Sequence, residues 1–199
     1  WPYTVPDEKG RWSYMSHVVN NAMMLKSGPL LWRMTGSKED LEYVNEMVDM
    51  LDRYHGMVTG VFTGDECLAG LSPVQGTELC AVAEYMYSLE HLISITGEAK
   101  WGDRLERIAY NALPATYSPD MWTHQYDQQV NQVECSRQKD PIFNTNSGES
   151  NLFGLEPNYG CCTANLSQPW PKFALSTFMR RDDGFAAVAY APSSLDTAM

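Results

Sequence analysis

The strongest constraint on the fold is a helix–turn–helix unit that occurs twice. Residues 32–36, WRMTG, end one amphipathic stretch and precede another, and residues 93–97, ISITG, repeat the arrangement. Glycine often ends a helix because it adopts left-handed dihedrals without a steric penalty. Helical hairpins that each bury one face can stack into a solenoid or close into a ring. Periodicity alone does not choose between those two architectures.

Apolar residues at helical spacing predict further elements along the chain. The predicted helices are Tyr14–Met34, Glu39–Tyr54, Thr77–Thr96, Lys100–Leu113 and Gln168–Met179. Gly28 and Pro29 are expected to kink or break the first of them. Residues 56–76 and 117–160 have no helical period and predict loops and extended segments, whereas GFAAVAY, residues 184–190, predicts a strand.

Charge and cysteine content exclude several classes of protein. The formal charge is −11, from 25 acidic and 14 basic residues, which argues against a nucleic-acid groove and against an anionic membrane surface. The chain has no apolar run of about 18 residues, so the sequence predicts no membrane-spanning helix. The five cysteines are irregularly spaced, unlike those of a small disulfide scaffold, so we expect reduced or metal-bound thiols, a state that favours the cytoplasm. Homo-oligomerisation stays open.

Two adjacent cysteines, Cys161 and Cys162, form the most unusual motif of the chain. They could form a strained disulfide, pack as buried thiols, or bind one metal ion. Glu78 and Cys80 would not share a face of a regular helix, but both could reach one ion from a frayed or extended helix start. One carboxylate and three thiolates suit tetrahedral zinc. Alternatively, Cys80 is a buried small hydrophobe and Glu78 a helix N-terminal charge.

Other polar residues have both a chemical and a structural interpretation. Asp65 and Glu66 lie in a glycine-containing loop and could supply a general acid or simply face solvent. His17 lies among apolar residues, where a histidine is often a hydrogen-bonded core residue. Glu106 would ordinarily form a surface ion pair of small energetic value.

The segment TYSPDMWTHQYDQQ, residues 116–129, combines aromatic and amide side chains. Aromatic faces pack on the C–H groups of sugars, while amides and acids bind the hydroxyls. Tyr126 in this segment could therefore contact a sugar, or it could be a packed aromatic of the core.

Several motifs in one order resemble glycoside hydrolase family 127, the β-L-arabinofuranosidase family. They are Glu78-Leu79-Cys80, then LERIAYN at residues 105–111, then Gly160-Cys161-Cys162, preceded by a segment from His17 through Met34-Thr35-Gly36. The resemblance covers nearly the whole chain. It implies a mainly α fold in which residues 1–180 are the C-terminal half of an (α/α)6 catalytic barrel made of helical hairpins. Residues 181–199 would then begin a β-sandwich domain, and the chain would be a fragment of a longer protein.

The resemblance also implies roles for individual residues. The implied zinc ligands are Glu78, Cys80, Cys161 and Cys162; Cys161 is the nucleophile; Glu66, preferred to Asp65 for its residue type, is the acid/base; and His17, Glu106 and Tyr126 bind sugar. Thr163-Ala164 replace the Pro-Pro of the family's other branch, and the loop before Glu78 is shorter than in characterised members. These departures indicate a less characterised branch and leave the sugar open.

The function implied by the resemblance is a retaining glycoside hydrolase that acts on a carbohydrate with a zinc-bound thiolate nucleophile. One alternative is a noncatalytic zinc-stabilised helical domain that binds carbohydrate or protein. Another is a hydrolase of the same architecture that acts on a different sugar. A thiol redox role is disfavoured because the cysteine pair lacks C-x-x-C spacing.

Overall fold

A computed structural model describes residues 15–139, 147–154 and 159–197. The helices are α1 Val18–Met24, α2 Ser27–Thr35, α3 Glu39–His55, α4 Leu79–Thr96, α5 Ala99–Tyr110, α6 Ala112–Ala115, α7 Gly160–Leu166 and α8 Pro169–Ser176. The strands are β1 Gly64–Asp65, β2 Cys67–Leu68, β3 Thr77–Glu78, β4 Asp127–Gln128, β5 Phe178–Arg181 and β6 Gly184–Ala187. The mainly α prediction is confirmed. Closure into a barrel and the start of a β-sandwich stay predictions.

Both Thr-Gly turns end a helix as the sequence predicts. Gly36 and Gly97 have φ values of 72° and 68°, and their N–H groups bond to the carbonyls of Trp32 and Ile93. No atom lies within 4 Å of a Cβ built at either glycine. The backbone conformation, and not crowding, therefore requires glycine at these turns. Each turn joins the two helices of a hairpin, α2–α3 and α4–α5.

Helix α4 forms the centre of the molecule. Its sequence LCAVAEYMYSLEHLISIT is apolar on most of its circumference, and α1, α2, α5, α7 and α8 pack around it. A helix that is apolar nearly all round is typically buried in this way. Cys80 lies in the first turn of α4, so this packing also buries one end of the cysteine cluster.

The predicted break in the first helix is misplaced. Helix α1 ends at Met24 and α2 begins at Ser27, although Leu25 and Lys26 between them keep right-handed helical dihedrals, and Gly28 and Pro29 belong to the first turn of α2. Proline is tolerated there because the first-turn N–H groups have no intrahelical acceptor. A Cβ at Gly28 would lie 2.3 Å from Cγ2 of Val44, so glycine here allows α2 and α3 to approach closely. The predicted start at Tyr14 lies outside the described residues.

Other boundaries also differ from the sequence prediction. Residues 77–78 form a strand before α4, the helix predicted to end at Leu113 ends at Tyr110, and the last strand ends at Ala187. Helix α7 was not predicted. It has only seven residues and begins with glycine, so it offers too little periodicity to detect.

A small sheet with strand order β2-β1-β3-β4 joins three distant segments. Strand β3 pairs in parallel with β1, Gly64 opposite Thr77, and antiparallel with β4, Glu78 opposite Asp127. A further bridge joins His17 to Cys67. The sheet therefore brings the loop at residue 66, the start of α4 and residues 126–127 together. Within the described ranges no helix has the length and apolarity to cross a membrane.

Candidate active site

Four side chains converge where α4 and α7 begin. One ligand atom from each of Glu78, Cys80, Cys161 and Cys162 lies within 4.8 Å of the others. The sulfur of Cys162 is 3.2 Å from that of Cys80 and 4.0 Å from that of Cys161. All these cysteines are free thiols. The adjacent cysteines therefore do not form a disulfide but share one cluster.

Local structure explains how residues two positions apart reach the same point. Glu78 precedes α4 with extended dihedrals, φ −66° and ψ 135°, whereas Cys80 is inside the first helical turn. On the other side, α7 begins at Gly160, and the N–H of Cys162 bonds to the carbonyl of Tyr159 at 3.0 Å. The extended entry that the sequence left as one of two alternatives is thus the observed conformation.

Burial separates the four members of the cluster. Glu78, Cys80 and Cys162 are 2 %, 1 % and 0 % exposed, respectively. Cys161 is exposed, although it is adjacent to Cys162 in the first turn of the same helix. Of these four residues, only Cys161 can meet a substrate from solvent.

The electrostatics of the cluster concentrate negative charge on Cys161. Hydrogen bonds from the thiols of Cys162 and Cys80 lower the pKa of Cys161. The same bonds to Cys161 raise the pKa of Cys80 and Cys162, and burial adds to the effect. Burial raises the pKa of Glu78 well above its usual range, reinforced by the negative charges of Glu66 and Cys161.

The cluster fits a bound cation. Oε2 of Glu78 is buried and has no hydrogen-bond partner among the described residues. A buried carboxyl oxygen without a partner is costly, and so is ionising a second thiol beside Cys161. A metal ion among the four ligand atoms would relieve both costs. The sulfur-rich donor set favours a borderline or soft metal over magnesium or calcium.

Glu66 lies at the tip of the tight turn between β1 and β2. Its φ of +66° is left-handed, a conformation that costs a residue with a Cβ roughly 1–2 kcal/mol. Its carboxylate is 3.3 Å from Nε2 of His17 and accepts a 3.0 Å hydrogen bond from the hydroxyl of Tyr126. The hydrogen bond from His17, and then that from Tyr126, lower the pKa of Glu66 against the opposing effect of burial. The strained turn places Glu66 between two donors.

His17 has its ring orientation set by helix α1. It is the N-cap residue, and its Nδ1 accepts the N–H of Asn20 at 3.2 Å. Because Nδ1 uses its lone pair in that bond, the proton is carried by Nε2, which faces Glu66. Ligand atoms of His17, Glu66 and Glu78 also lie within 4.8 Å of one another. The histidine and the acidic loop therefore border the cysteine cluster.

The structure distinguishes Asp65 from Glu66. Asp65 is 1 % exposed, within β1, whereas the side chain of Glu66 is 40 % exposed. Neighbouring residues at a tight turn point in different directions, so only Glu66 offers its carboxylate to a ligand from solvent. Tyr126 is buried and stacks on Tyr159, with ring centroids 4.0 Å apart and an interplanar angle of 16°.

Glu106 does not join this group. It lies on α5, where its Oε2 accepts the backbone N–H of Tyr190 at 3.1 Å. It lines a cavity of about 500 Å³ between α5 and the β5–β6 hairpin. The predicted sugar-binding residues His17 and Tyr126 thus come together at Glu66, while Glu106 lines a cavity that neither of them lines.

Two residues of the site were not predicted from the sequence. Asp127 is fully buried opposite Glu78, and neither of its carboxylate oxygens has a hydrogen-bond partner in the described part of the chain. Tyr159 stacks on Tyr126 and directly precedes the Gly-Cys-Cys motif. In the sequence, the only sign of a role for these residues is that Asp127 follows Tyr126 and Tyr159 precedes Gly160. Neither residue lies in a stretch with helical or strand periodicity.

A protein-family model described as beta-L-arabinofuranosidase, GH127 catalytic domain, matches residues 11–175. The chain belongs to the GH127 family. A comparison with curated proteins found no match. The GH127 membership agrees with the order of the Glu-x-Cys and Cys-Cys motifs, whose side chains form the cluster described above.

Solved structures support the GH127 fold. A structure titled glycoside hydrolase aligns with a TM-score of 0.71 at 14 % identity over 92 % of this chain and 33 % of its own. A GH127 beta-arabinofuranosidase aligns at 0.60, with 20 % identity over 81 % and 24 %. A GH127 beta-L-arabinofuranosidase from Geobacillus stearothermophilus T6 aligns at 0.61, with 16 % identity over 85 % and 27 %. The GH127 chain described here spans about a third or less of the length of these structures.

Proposed function

We propose that this chain carries the nucleophile and the acid/base of a retaining, β-L-arabinofuranosidase-like glycoside hydrolase. The observation that carries the proposal is the exposed thiol of Cys161 above three buried ligands, with Glu66 alongside. Ligand atoms of Glu78 lie within 4.8 Å of Cys161 in one group and of Glu66 in the other. Cys161 and Glu66 therefore both border Glu78. A cysteine nucleophile predicts retention, because its attack and the later attack of water each invert the anomeric carbon once.

Zinc is the metal that the donor set favours. Two sulfurs on a tetrahedral zinc with Zn–S distances of 2.3 Å lie about 3.8 Å apart. The observed separations of 3.2 and 4.0 Å bracket that value. Glu78, Cys80, Cys161 and Cys162 would hold the ion. Its chemical contribution is to keep the thiol of Cys161 ionised at neutral pH.

The proposed reaction has two steps on this chain's own side chains. The sulfur of Cys161 attacks the anomeric carbon while Glu66 donates its proton to the leaving oxygen, so a C–S bond forms as the C–O bond breaks. Glu66 then takes a proton from water, which attacks the anomeric carbon and releases the Cys161 thiolate. The sugar keeps its anomeric configuration because each step inverts it once.

The surroundings of Glu66 suit both of its roles. The hydroxyl of Tyr126 and Nε2 of His17 favour the carboxylate, the form that activates water. The negative charge of Cys161 acts in the opposite direction and raises the pKa of Glu66. That charge is present before the first step and absent once Cys161 is bonded to the sugar. Glu66 therefore retains its proton more readily before the first step, when it must donate one. It is ionised more readily in the intermediate, when it must accept a proton from water.

The test is hydrolysis by the intact, metal-loaded protein of nitrophenyl β-L-arabinofuranoside, with the α-L anomer and pyranosides as controls. We expect the first-formed sugar to be the β anomer by NMR, and a slow substrate to leave its mass on the peptide that contains Cys161. On an alkyl glycoside of the same sugar the Glu66→Gln variant should lose roughly 10²-fold or more in kcat/KM. On the nitrophenyl glycoside, which leaves with little protonation, the loss should appear mainly in kcat, because Glu66 also activates water. A first product of inverted anomeric configuration would exclude the Cys161 mechanism. Hydrolysis of only one of the control glycosides would assign the enzyme a different sugar substrate.

A noncatalytic role would give a different pattern. Metal bound by the four ligands, no hydrolysis of any panel sugar, and unchanged ligand binding in Glu66→Gln would indicate a metal-stabilised binding domain. The exposure of Cys161 and the two hydrogen bonds to Glu66 favour the enzyme.

A further inference from the structure

We propose that Tyr159 is a positioning residue that holds the hydroxyl of Tyr126 on Glu66 and couples this contact to the helix that carries Cys161. The inference rests on the proposed function, since it concerns how the acid/base Glu66 and the nucleophile Cys161 are held in position relative to each other. It assigns Tyr159 a role that neither its sequence context nor the family motifs provide.

The first step of the argument is the stack itself. The rings of Tyr126 and Tyr159 are nearly parallel, at 16°, with centroids 4.0 Å apart. The hydroxyl of Tyr126 donates to Oε1 of Glu66 at 3.0 Å. A ring stacked against a second, nearly parallel ring has less room to tilt. Removal of the Tyr159 ring would therefore leave Tyr126 free to tilt and to move its hydroxyl away from Glu66.

The second step is that Tyr159 is itself fixed at both ends. Its hydroxyl lies 2.5 Å from Oγ of Ser147 and 3.1 Å from Oγ of Ser150. Its backbone carbonyl accepts the N–H of Cys162 at 3.0 Å, in the first turn of α7. The same residue thus orients the start of the cysteine helix and supports the ring that contacts the acid/base.

The third step concerns the remaining metal ligands. The carbonyl of Tyr126 accepts the N–H of Leu79 at 2.8 Å, between Glu78 and Cys80. The Tyr126–Tyr159 stack is therefore the contact at which three segments meet: the acidic turn, the start of α4 and the start of α7. Movement of α7 would pass to Glu66 through these two rings.

The experiment compares two substrates of the same sugar in the intact protein. An activated nitrophenyl glycoside leaves with little protonation, whereas an alkyl glycoside requires a well-placed acid. For Tyr159→Leu we expect kcat/KM to fall about 10- to 100-fold on the alkyl glycoside and less than about 3-fold on the nitrophenyl glycoside. Tyr159→Phe keeps the stack but loses the hydroxyl contacts with Ser147 and Ser150, so we expect a loss on the alkyl glycoside that is smaller than that of Tyr159→Leu and again less than about 3-fold on the nitrophenyl glycoside.

Further variants separate positioning from a general loss of structure. Tyr126→Phe should reproduce the selective loss on the alkyl glycoside, and the double variant Tyr126→Phe/Tyr159→Leu should lose no more than the larger single effect. Metal content and thermal unfolding report folding. Should Tyr159→Leu lose its metal or unfold, Tyr159→His, which retains a smaller flat ring, should give an intermediate selective loss.

The outcomes are distinguishable. Equal losses on both substrates, or none on either, in an active parent would overturn the role of Tyr159 and leave the proposed function standing. A parent that hydrolyses neither substrate would overturn the proposed function and, with it, this role. Selective loss on the alkyl glycoside supports both.

Discussion

The Nε2 atom of His17 lies 3.3 Å from Oε2 of Glu66, although the α2–α3 hairpin separates the two residues in the chain. Two backbone contacts hold the pair together: the N–H of Val18 bonds to the carbonyl of Glu66 at 2.8 Å, and His17 forms a bridge with Cys67. The start of α1 is thus attached directly to the acidic turn. Its distance from that turn depends on the packing of Val18, in α1, against Gly64, in β1.

Substitution of Gly64 should disturb this pair. A Cβ at Gly64 would lie 2.4 Å from both Cβ and Cγ2 of Val18. We therefore expect Gly64→Ala to lower the free energy of unfolding by about 1–3 kcal/mol through overpacking. It should also lower kcat/KM, because α1 moves His17 away from Glu66. Urea denaturation and steady-state kinetics measure the two effects.

A second variant tests the cause. Val18→Gly removes every side-chain atom of Val18 that the new Cβ would meet, so Gly64→Ala/Val18→Gly should be more stable than the sum of the single losses predicts. A double-mutant cycle with a coupling energy near zero would show that the crowding between Gly64 and Val18 is not the reason.

The two adjacent cysteines should respond differently to substitution. Cys161→Ser should reduce kcat by at least roughly 10³-fold, because it replaces the proposed nucleophile, while much of the metal remains. Cys162→Ser should lose the metal and lower the melting temperature, since its sulfur is buried beside Cys80. Elemental analysis, calorimetry and kinetics on the same preparations check this. Cys135→Ser is the control, an exposed cysteine outside the cluster, and should change none of the three.

The pH dependence of stability should change sign when the metal is removed. In the metal-free protein, burial raises the pKa of Glu78 and Asp127 above the ordinary carboxyl value. Above pH about 4.5 the unfolded chain releases protons that the folded state retains, so each of these carboxyls makes stability fall with rising pH, by up to about 1.4 kcal/mol per unit. The lowered pKa of Cys161 acts in the opposite direction over the same range, and we expect the two carboxyls together to outweigh it. Metal binding has the opposite dependence, because its ligands must lose protons.

Urea titrations between pH 5 and 8, with and without metal, measure both slopes. Asp127→Asn should flatten the falling curve of the metal-free protein, because one of the buried carboxyls is removed. Curves that rise in both states would show that the buried carboxyls do not control the stability of the metal-free protein.

One ion pair away from the site should matter more than the others at the surface. Arg104 on α5 forms a two-bond contact with Asp52 on α3, with N–O distances of 2.8 and 2.5 Å, and also donates to the carbonyl of Gly60. We expect Asp52→Ala to lower the free energy of unfolding by about 1–2 kcal/mol, a value reduced by partial exposure of the carboxylate. Asp183→Ala, which breaks a more exposed pair with Arg181, should cost less than about 0.5 kcal/mol in the same assay.

The sequence predicted the middle of most helices, because their amphipathic period and stop signals are local. It predicted the ends less well: the helix predicted to reach Met179 ends at Ser176, and strand β5 begins at Phe178. The Thr-Gly turns at Gly36 and Gly97 end α2 and α4 as expected, since a left-handed residue at that position requires glycine. Seven residues were too few to reveal α7. The break before α2 was misplaced because proline in a first helical turn and proline that ends a helix look alike in sequence.

The sequence by itself also identified the four residues of the cluster, one acid and three cysteines, because their motifs occur in the order found in the family. The structure brings Glu78, Cys80, Cys161 and Cys162 together. Only the tertiary structure decided that Cys161 is exposed and Cys162 buried, that Glu66 and not Asp65 faces solvent, and that Glu106 lies away from Glu66, at the cavity beside the β5–β6 hairpin. These outcomes depend on how α7 packs on α4, on a left-handed turn, and on the β5–β6 hairpin. Such contacts join residues far apart in the chain, so no local pattern of polarity or spacing encodes them.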